Sequence, residues 1–177
     1  MALTLSILIC TTSSREKVMT ALLKNLNNQI RRYTTEVELL INGHETDNVG
    51  KKRNDLLKQA KGEYVVAIDS DDEVSPNYVQ LILRASKEGS DCIGISGIIT
   101  TNGKNQRQWH ISKDYGTWFE RDKIYFRTPN HISPVKRELA LKVMFPEISF
   151  GEDAVFSRNI HPLLQSETKV KGNIYHY

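Results

Sequence analysis

The feature that most constrains the fold is the alternation of apolar runs with amphipathic stretches over the first hundred residues. Residues 3–10 (LTLSILIC) and 64–68 (YVVAI) are predominantly apolar, which is typical of strands buried on both faces of a sheet. Residues 15–30 carry apolar side chains at four-residue spacing, which predicts a helix with one buried face. Strands that alternate with helices predict an α/β fold, with a mostly parallel central sheet and helices on both faces. The predicted buried face of the first helix consists of Val18, Leu22, Leu26 and Ile30.

The same patterns locate the other elements, although the second half of the chain is less regular. Residues 100–130 are rich in aromatic side chains and predict a small antiparallel section of short strands. No segment rich in Pro, Gly or Ser separates the halves, so we expect one domain over residues 1–177. The remaining predicted strands are 37–41, 91–99 and 168–177, and the remaining predicted helices are 50–61, one from Ser75-Pro76, 135–143, and one from 151 that buries Phe156, Ile160, Leu163 and Leu164.

Composition is typical of a globular protein with a real core. Hydrophobic residues make up 39% and charged residues 25% of the chain, and the formal net charge of +3 is too mild to indicate nucleic acid by itself. Cys10 and Cys92 lie in apolar runs, away from metal-ligand spacing, so we expect free thiols in a reducing compartment. We find no targeting signal and no transmembrane segment, and we therefore expect a cytoplasmic protein.

An acidic loop, residues 69–73 (DSDDE), follows the apolar strand at 64–68. In a parallel sheet this loop would lie at the carboxyl ends of the strands, together with the loops at 11–15 and 42–50, where such folds bind ligands. Four carboxylates in five residues repel one another, so they need a cation, amide donors or full solvation. A hard divalent ion such as Mg²⁺ or Mn²⁺ suits oxygen ligands and often bridges carboxylate to phosphate.

The acidic loop is open to three other interpretations. A calcium EF-hand is disfavoured because its sixth loop position needs Gly, and that position is Val74. A phosphatase loop with an aspartyl nucleophile also follows an apolar strand, although we would expect that strand to be the first in the chain. A charged turn that merely caps the next helix is the simplest alternative.

With its flanks included, the pattern resembles the family-2 glycosyltransferases of the GT-A fold, which is Rossmann-like. The resemblance is carried in order by residues 5–12 (LSILICTT), 50–64 (GKKRNDLLKQAKGEY), 69–72 (DSDD) and 151–156 (GEDAVF). It covers most of the chain and is weak only between about 100 and 128. Residues 130–136 (NHISPVK) look like the short stand-alone members found in bacteria and in phages or other viruses.

The resemblance implies a metal-dependent enzyme that moves a sugar from a nucleotide-diphosphate sugar, expected to be a UDP-sugar, to an acceptor hydroxyl with inversion. Residues 1–100 would bind the donor, residues 101–177 would face the acceptor, and the cofactor would be Mn²⁺ or Mg²⁺. The acceptor would be a glycan, a lipid or a hydroxymethylated base of phage DNA. The family usually has an acid, contacting uracil, where this chain has Asn42 at the end of its second strand.

The implied site residues fall into four groups. Asp153 would be the general base, with Glu152 as the weaker candidate. Metal ligands would be Asp69, Asp71 and His176. The donor would be contacted by Thr11, Thr12, Arg15, Asn42, Lys52, Arg53, Asp69 and Ser70. The acceptor would be contacted by Asp72, Trp118, Asn130 and His131.

Two other function classes stay open from the residues alone. One is a metal-dependent phosphohydrolase built around residues 69–72. The other is a non-enzymatic nucleic-acid-binding module that uses the basic pair Arg31-Arg32 and the basic run at 51–53 (KKR). Hydrolysis of a nucleotide sugar would favour a glycosyltransferase over a phosphohydrolase. Salt-sensitive DNA affinity without donor turnover would favour the nucleic-acid-binding module.

Overall fold

The computed structural model describes residues 3–101 and 103–177. Within these ranges no helix combines the length and the apolar composition needed to cross a bilayer. The strands are β1 (Leu5–Cys10), β2 (Val37–Asn42), β3 (Tyr64–Ala67), β4 (Glu73–Val74), β5 (Cys92–Thr101), β6 (Lys104–Ile111), β7 (Phe119–Arg121), β8 (Ile124–Arg127), β9 (Val135–Lys136) and β10 (Glu167–His176). The helices are α1 (Glu16–Ile30), α2 (Val49–Gln59), α3 (Tyr78–Ser86), α4 (Arg137–Val143) and α5 (Glu152–Ile160), and short 3₁₀ turns occupy Ser13–Arg15 and His161–Leu163.

The strands form one sheet in the order β2-β1-β3-β9-β5-β6-β8-β7. β1 is parallel to both β2 and β3, whereas β9 is antiparallel to its neighbours β3 and β5. β10 runs parallel to β5 and antiparallel to β4, which joins the end of the chain to the acidic loop. The antiparallel pairs β5–β6 and β7–β8 form the smaller section. The predicted α/β class is therefore confirmed.

Helices cover both faces of the sheet, and strand alternation assigns each side chain to a face. Leu5, Ile7 and Ile9 of β1 pack with α1 and α3, whereas the intervening Leu8 packs with α2, α4 and α5. Each fully buried side chain of this size contributes about 1.5–3 kcal/mol, so the two clusters on opposite faces hold the sheet between helix layers. On the second face Phe145 and Phe156 stack with their ring centroids 4.1 Å apart.

Several sequence-based boundaries differ from the structure. Val18 is 54% exposed and Met19 is buried instead, because a strict four-residue spacing rotates by about 40° per step around an α-helix. Leu163 is 36% exposed since it lies in a 3₁₀ turn beyond α5. The helix expected at 135–143 begins at Arg137, because the two preceding residues pair as β9. The helix expected from Ser75 begins at Tyr78, and β6 and β8 are parallel rather than antiparallel.

The carboxyl ends of β1, β2 and β3 meet at one edge of the sheet, as predicted. There the loop after β1 contacts the loops after the other two strands. The backbone N–H of Ser13 donates to Glu45 at 2.7 Å, and Arg15 donates to Asp71 at 2.8 Å. These contacts bring three loops that are distant in sequence to one side of the molecule.

Candidate functional site

Asp69 follows β3 and lies between two basic side chains. Its carboxylate accepts from Arg53 Nη2 at 2.8 Å and contacts Nε2 of His131 at 3.2 Å, while about a third of the side chain stays exposed. Burial alone would raise the pKa of Asp69, but His131 and Arg53 outweigh it and hold that pKa below its usual range. Both carboxylate oxygens are therefore engaged.

Asp72 in the same loop is held differently. It is 8% exposed and accepts from the Tyr175 hydroxyl at 2.7 Å. Burial raises the pKa of Asp72 to about 8. The Tyr175 hydroxyl also accepts from the Asp69 backbone N–H at 3.3 Å, so β10 ties both ends of the loop. This placement favours a role in shaping the loop over the acceptor contact expected for Asp72, and the sequence carried no signal for Tyr175.

Asp71 is the open carboxylate of the loop. Its side chain is 47% exposed, and the contact to Arg15 involves only one of its oxygens. In the part of the chain that the structure describes, no three His, Cys, Asp or Glu side chains are grouped closely enough to hold a metal ion unaided. Mg²⁺ and related ions are commonly held by one or two carboxylates, with phosphate and water completing the shell. The residues thus fit a cation completed by ligand oxygens, and β10 places the expected ligand His176 opposite Glu73 at the end of the loop.

Arg53 of α2 lies at the centre of a buried ionic network. It is 3% exposed and donates through Nη1 to Glu152 and through Nη2 to Asp69. Its guanidinium carbon lies 5.5 Å from the centroid of the Phe145 ring. Burial lowers the pKa of Arg53, but the two carboxylates more than compensate, so the group stays charged. Arg53 thus joins the acidic loop to α5. The sequence predicted a donor contact for Arg53 but not this connection.

His131 connects Asp69 with the second acidic motif. Its Nδ1 lies 3.9 Å from Oδ2 of Asp153 and, among the described residues, has no hydrogen-bond partner. The carbonyl of His131 accepts from the Ala67 backbone N–H at 2.8 Å, which fixes this loop to β3. The fully buried Asn130 supports the turn, since its Oδ1 accepts from the Ile132 backbone N–H at 3.2 Å.

Two adjacent acids at the start of α5 point in different directions. Gly151 precedes them with a φ of 79°, a left-handed conformation that suits glycine. Glu152 is buried against Arg53, whereas Asp153 is 25% exposed and lies beside His131. Oδ1 of Asp153 accepts from the Ala154 backbone N–H at 2.8 Å, which leaves Oδ2 without a hydrogen bond among the described residues.

The expected donor side is organised around Lys52. This side chain is 4% exposed, and its Nζ donates to the Thr11 carbonyl at 2.7 Å. The Thr11 backbone N–H donates to the Asn42 carbonyl, and Asn42 Oδ1 accepts from the His44 backbone N–H. Within the described ranges no carboxylate lies at ion-pair distance from Lys52. A buried cation at the carboxyl ends of parallel strands favours an anionic ligand.

Two hydroxyl residues complete this side. Ser70 is 1% exposed, and its Oγ finds no partner within the described residues. Thr12 precedes the 3₁₀ turn, and its Oγ1 lies 2.9 Å from Oγ of Ser14. A buried hydroxyl without a partner costs free energy, so the placement of Ser70 is consistent with a ligand contact.

The two tryptophans have different roles. Trp109 is 2% exposed and belongs to the core, where its ring meets that of Tyr175 with centroids 5.9 Å apart. Trp118 is partly exposed, and its Nε1 donates to Oγ1 of Thr128 at 2.9 Å. The guanidinium of Arg127 lies 4.9 Å from the Trp118 ring centroid. The sequence analysis proposed Trp118 as an acceptor contact but did not identify Arg127 beside it.

The structure brings most of the sequence-predicted residues to two neighbouring groups. One group is the chain of side-chain contacts that runs from Glu152 through Arg53, Asp69 and His131 to Asp153. The other is the donor edge, which contains Thr11, Thr12, Arg15, Asn42, Lys52, Ser70 and Asp71. Trp118 belongs to neither group, because its Nε1 donates hydrogen bonds to Thr128 and Ser157 instead.

Two known proteins with similar sequences are both named as glycosyltransferases. EpsH of Bacillus subtilis, named as a glycosyltransferase, is 26% identical over a 153-residue alignment that covers 75% of this chain and 42% of the relative. The poly(ribitol-phosphate) beta-glucosyltransferase of Bacillus spizizenii is 26% identical over 137 residues, covering 76% of this chain and 22% of the relative. This chain thus spans less than half the length of these two relatives.

Solved structures support the fold. The crystal structure of S. aureus TarS residues 1–349 in complex with UDP-GlcNAc matches with a TM-score of 0.74 at 23% identity, covering 99% of this chain and 58% of that one. The same TarS fragment with UDP also has a TM-score of 0.74. The family model described as glycosyl transferase family 2 matches residues 39–150, which include the acidic loop, α2 and His131. The chain therefore belongs to glycosyl transferase family 2.

Proposed function

We propose that this chain, acting as a single domain, transfers a sugar from a nucleoside-diphosphate sugar to an acceptor hydroxyl with inversion at the anomeric carbon. The observation that carries the proposal is the chain of side-chain contacts from Asp69 through His131 to Asp153. It links the carboxyl end of β3, where a donor would bind, to an acid that is partly open to solvent. Family membership and the relatives named as glycosyltransferases support the same activity.

The donor side would hold the diphosphate. Asp71, with the help of His176, would bind Mn²⁺ or Mg²⁺ together with phosphate oxygens, since its carboxylate is the open one of the acidic loop. The ion, when bound, would neutralise charge on the leaving diphosphate. Lys52 would add a fixed positive charge beside Thr11. A UDP-sugar is the expected donor, because the TarS relative of the same fold was solved with UDP-GlcNAc.

The acceptor side would supply the base. Asp153 would accept the proton of the acceptor hydroxyl through its free Oδ2 while that oxygen attacks the sugar. A carboxylate is a weak base toward an alcohol, so proton removal would accompany bond formation. A single base that acts directly on the acceptor implies inversion. Glu152 would have a positioning role, because its carboxylate is committed to Arg53.

The alternative functions lose support from the same contacts. An aspartyl nucleophile of a phosphohydrolase needs a free oxygen, whereas both oxygens of Asp69 contact basic groups. The basic run at 51–53 offers no continuous basic surface, since Lys51 pairs with Asp47 and Asp55. The other two members of the run, Lys52 and Arg53, are buried. The other basic patch, Arg31-Arg32, is exposed but consists of two residues, so a glycan or lipid hydroxyl is proposed as the acceptor in preference to a DNA base.

The proposal is tested with a thermal-shift panel of UDP, UDP-glucose, UDP-GlcNAc, ADP and inorganic phosphate, each with and without Mn²⁺. A ligand at a hundredfold excess over its Kd stabilises the folded state by about 2.7 kcal/mol. We expect a uridine diphosphate to raise the melting temperature only when the metal is present, and inorganic phosphate to have little effect. Absence of any metal-dependent shift with a nucleoside diphosphate would refute the donor site.

Sugar transfer and the stereochemistry of the product are measured in separate assays. Release of UDP that requires an acceptor, with the product linkage assigned by NMR, distinguishes transfer from hydrolysis. An inverted anomeric configuration supports direct attack assisted by Asp153. A retained configuration would exclude the single-base mechanism while leaving donor binding intact.

A further inference from the structure

Arg127, the last residue of β8, lies among three aromatic rings. Its guanidinium carbon is 4.9 Å from the ring centroid of Trp118, 5.9 Å from that of Tyr177 and 6.0 Å from that of Tyr125. Among the described residues the guanidinium has no hydrogen-bond partner and no carboxylate within ion-pair distance. A guanidinium that packs on aromatic rings keeps its N–H groups in its own plane, where they remain available to a ligand.

The neighbours of Arg127 hold this side chain in place. The Arg127 carbonyl accepts from the Ser112 backbone N–H at 3.1 Å, which continues the pairing of β8 with β6. The Trp118 ring is fixed in turn, because its Nε1 donates to Thr128 at 2.9 Å and to Ser157 at 3.3 Å. A cation that is oriented before a ligand arrives loses less conformational entropy on binding.

Two structural relationships connect Arg127 with the candidate base. Only three residues separate Arg127 from His131, so their Cα atoms are at most about 14 Å apart. Nδ1 of His131 lies 3.9 Å from Oδ2 of Asp153. In addition, Ser157, which binds Trp118, follows Asp153 by four residues and therefore lies on the same face of α5.

Tyr177 provides a third connection, which is electrostatic. Burial raises the pKa of its hydroxyl, the positive charge of Arg127 lowers it, and the carboxylates of Asp72, Asp69 and Asp153 raise it. The Tyr177 side chain therefore lies within electrostatic range of both the unpaired guanidinium and the candidate base. Its hydroxyl has no hydrogen-bond partner among the described residues, so it is also available to donate to a ligand.

The charges around the candidate base show why an unpaired cation matters there. The side chains of Arg15, Arg53 and His131 each contact a carboxylate. An anionic substrate group that approaches Asp153 is repelled by its carboxylate. Arg127 supplies a positive charge that no carboxylate among the described residues neutralises, and this charge offsets the repulsion.

We propose that Arg127 and Tyr177 bind a phosphate group of a substrate beside the candidate base. The proposal rests on the proposed function and adds a specificity determinant to it. A guanidinium binds phosphate through two parallel hydrogen bonds, and a tetrahedral phosphate can accept a third from a hydroxyl outside the guanidinium plane. Strands β9, β5 and β6 separate β8 from β3, so the phosphate is expected to belong to the acceptor rather than to the donor.

The test compares the binding of glucose 6-phosphate and glucose by isothermal titration, with UDP and Mn²⁺ saturating so that the donor site is filled. In the native chain we expect glucose 6-phosphate to bind about tenfold more tightly than glucose. Arg127→Ala should abolish this preference. Tyr177→Phe, which keeps the ring but removes the hydroxyl, should reduce it by about threefold.

Arg121→Ala is the matched control. Arg121 also lies over an aromatic ring, 5.5 Å from the centroid of Phe126, and has no carboxylate partner at its listed neighbours' expense: its only ring contact is on the other side of the sheet. Phe126 directly precedes Arg127 in β8, and successive side chains of a strand point to opposite faces. Arg121→Ala should therefore leave the preference for glucose 6-phosphate unchanged.

The affinity for UDP in the presence of Mn²⁺ identifies the source of the phosphate. An unchanged UDP affinity in Arg127→Ala, together with loss of the preference for glucose 6-phosphate, identifies a phosphate of the acceptor. A loss of UDP affinity in Arg127→Ala but not in Arg121→Ala identifies the diphosphate of the donor. If Arg127→Ala changes neither quantity, the proposal is overturned.

Folding and the proposed function are checked independently. Urea unfolding is measured for each variant, and Arg127→Lys replaces Arg127→Ala if the latter does not fold. Lysine keeps the charge but lacks the guanidinium fork, so Arg127→Lys should still lose most of the preference. If UDP does not bind the native chain with Mn²⁺, the proposed function fails, whereas the sugar titrations repeated without UDP still decide whether Arg127 binds phosphate.

Discussion

Arg53 donates a buried hydrogen bond to Glu152 across 99 residues of sequence, and this bond joins α2 to the helix that carries the candidate base. Because Arg53 also binds Asp69, one guanidinium holds the acidic loop and the start of α5 in a fixed relation. The geometry of the candidate site thus depends on a residue that is itself almost inaccessible to ligands.

Arg53→Met should strongly destabilise the fold. The substitution leaves Glu152 buried without its partner, and breaking a buried pair in this way costs roughly 3–5 kcal/mol. Urea unfolding measures the change. Arg15→Met, which breaks the exposed pair with Asp71, should cost no more than about 1 kcal/mol. Adding Glu152→Gln to Arg53→Met should recover part of the loss, and simple additivity of the two changes would contradict the buried-pair account.

Asp71→Ala and Asp153→Asn should separate donor binding from transfer. The first removes the open carboxylate of the acidic loop, so we expect loss of the Mn²⁺-dependent thermal shift with UDP. The second keeps the shape of the helix start but removes the base, so UDP binding should persist while transfer falls below detection. Glu152→Gln serves as the neighbouring control and should retain measurable transfer. Loss of UDP affinity in Asp153→Asn would be incompatible with the assigned role.

Gly50→Ala should disturb the loop that precedes α5. A Cβ at residue 50 would lie 1.8 Å from the Pro146 carbonyl oxygen, so backbone must shift. Overpacking of this kind typically costs 1–3 kcal/mol, roughly, and should lower the urea midpoint. Gly116→Ala is the matched control, because a Cβ there meets no atom within 4 Å. Equal urea unfolding midpoints for the two variants would indicate that residues 146–148 shift to accommodate the added methyl group without loss of stability.

The stability contributed by Asp91 should disappear in acid. Partial burial raises the pKa of Asp91, but hydrogen bonds from the Gln165 and Ser166 backbone N–H groups and the charge of Lys136 lower it overall. A carboxyl whose pKa is lower in the folded state stabilises the fold above its unfolded pKa, and that contribution is lost as pH falls through the folded value. The difference in urea midpoint between the native chain and Asp91→Asn should therefore be present at pH 6 and shrink below about pH 4.

The control for this prediction is Asp122→Asn, a change at an exposed position. Its difference from the native chain should vary much less between pH 6 and pH 3. A native-minus-Asp91→Asn difference that stays constant over the same range would contradict the assigned linkage.

Local patterns were sufficient to predict the strands and the edge at which they converge. The apolar runs ending at Cys10 and Ile68 are typical of strands buried on both faces, and parallel pairing then set the position of the acidic loop. Asp153 was identified through the resemblance of residues 151–156 to the family-2 glycosyltransferases, and it lies in the first turn of α5. Local periodicity was less accurate for the helices, since Val18 is exposed and the helix expected from Ser75 begins at Tyr78.

Local sequence patterns did not show which residues distant in the chain would contact each other. Asp72 meets Tyr175 from 103 positions away, and the two-residue strand β9 pairs only because β3 and β5 stand on either side of it. The strand period and helix period describe one element at a time, whereas these contacts depend on how elements pack. For that reason Tyr175 was missed, and α4 was placed two residues too early.

The long sequence separation between Arg53 and Glu152 also affects how the protein emerges during synthesis. At about 5–20 residues per second, translation reaches Glu152 roughly 5–20 seconds after Arg53. During that interval Asp69 is available to the guanidinium, but the buried contact between α2 and α5 cannot form. Completion of the α2 face is therefore a late event that waits for the second half of the chain.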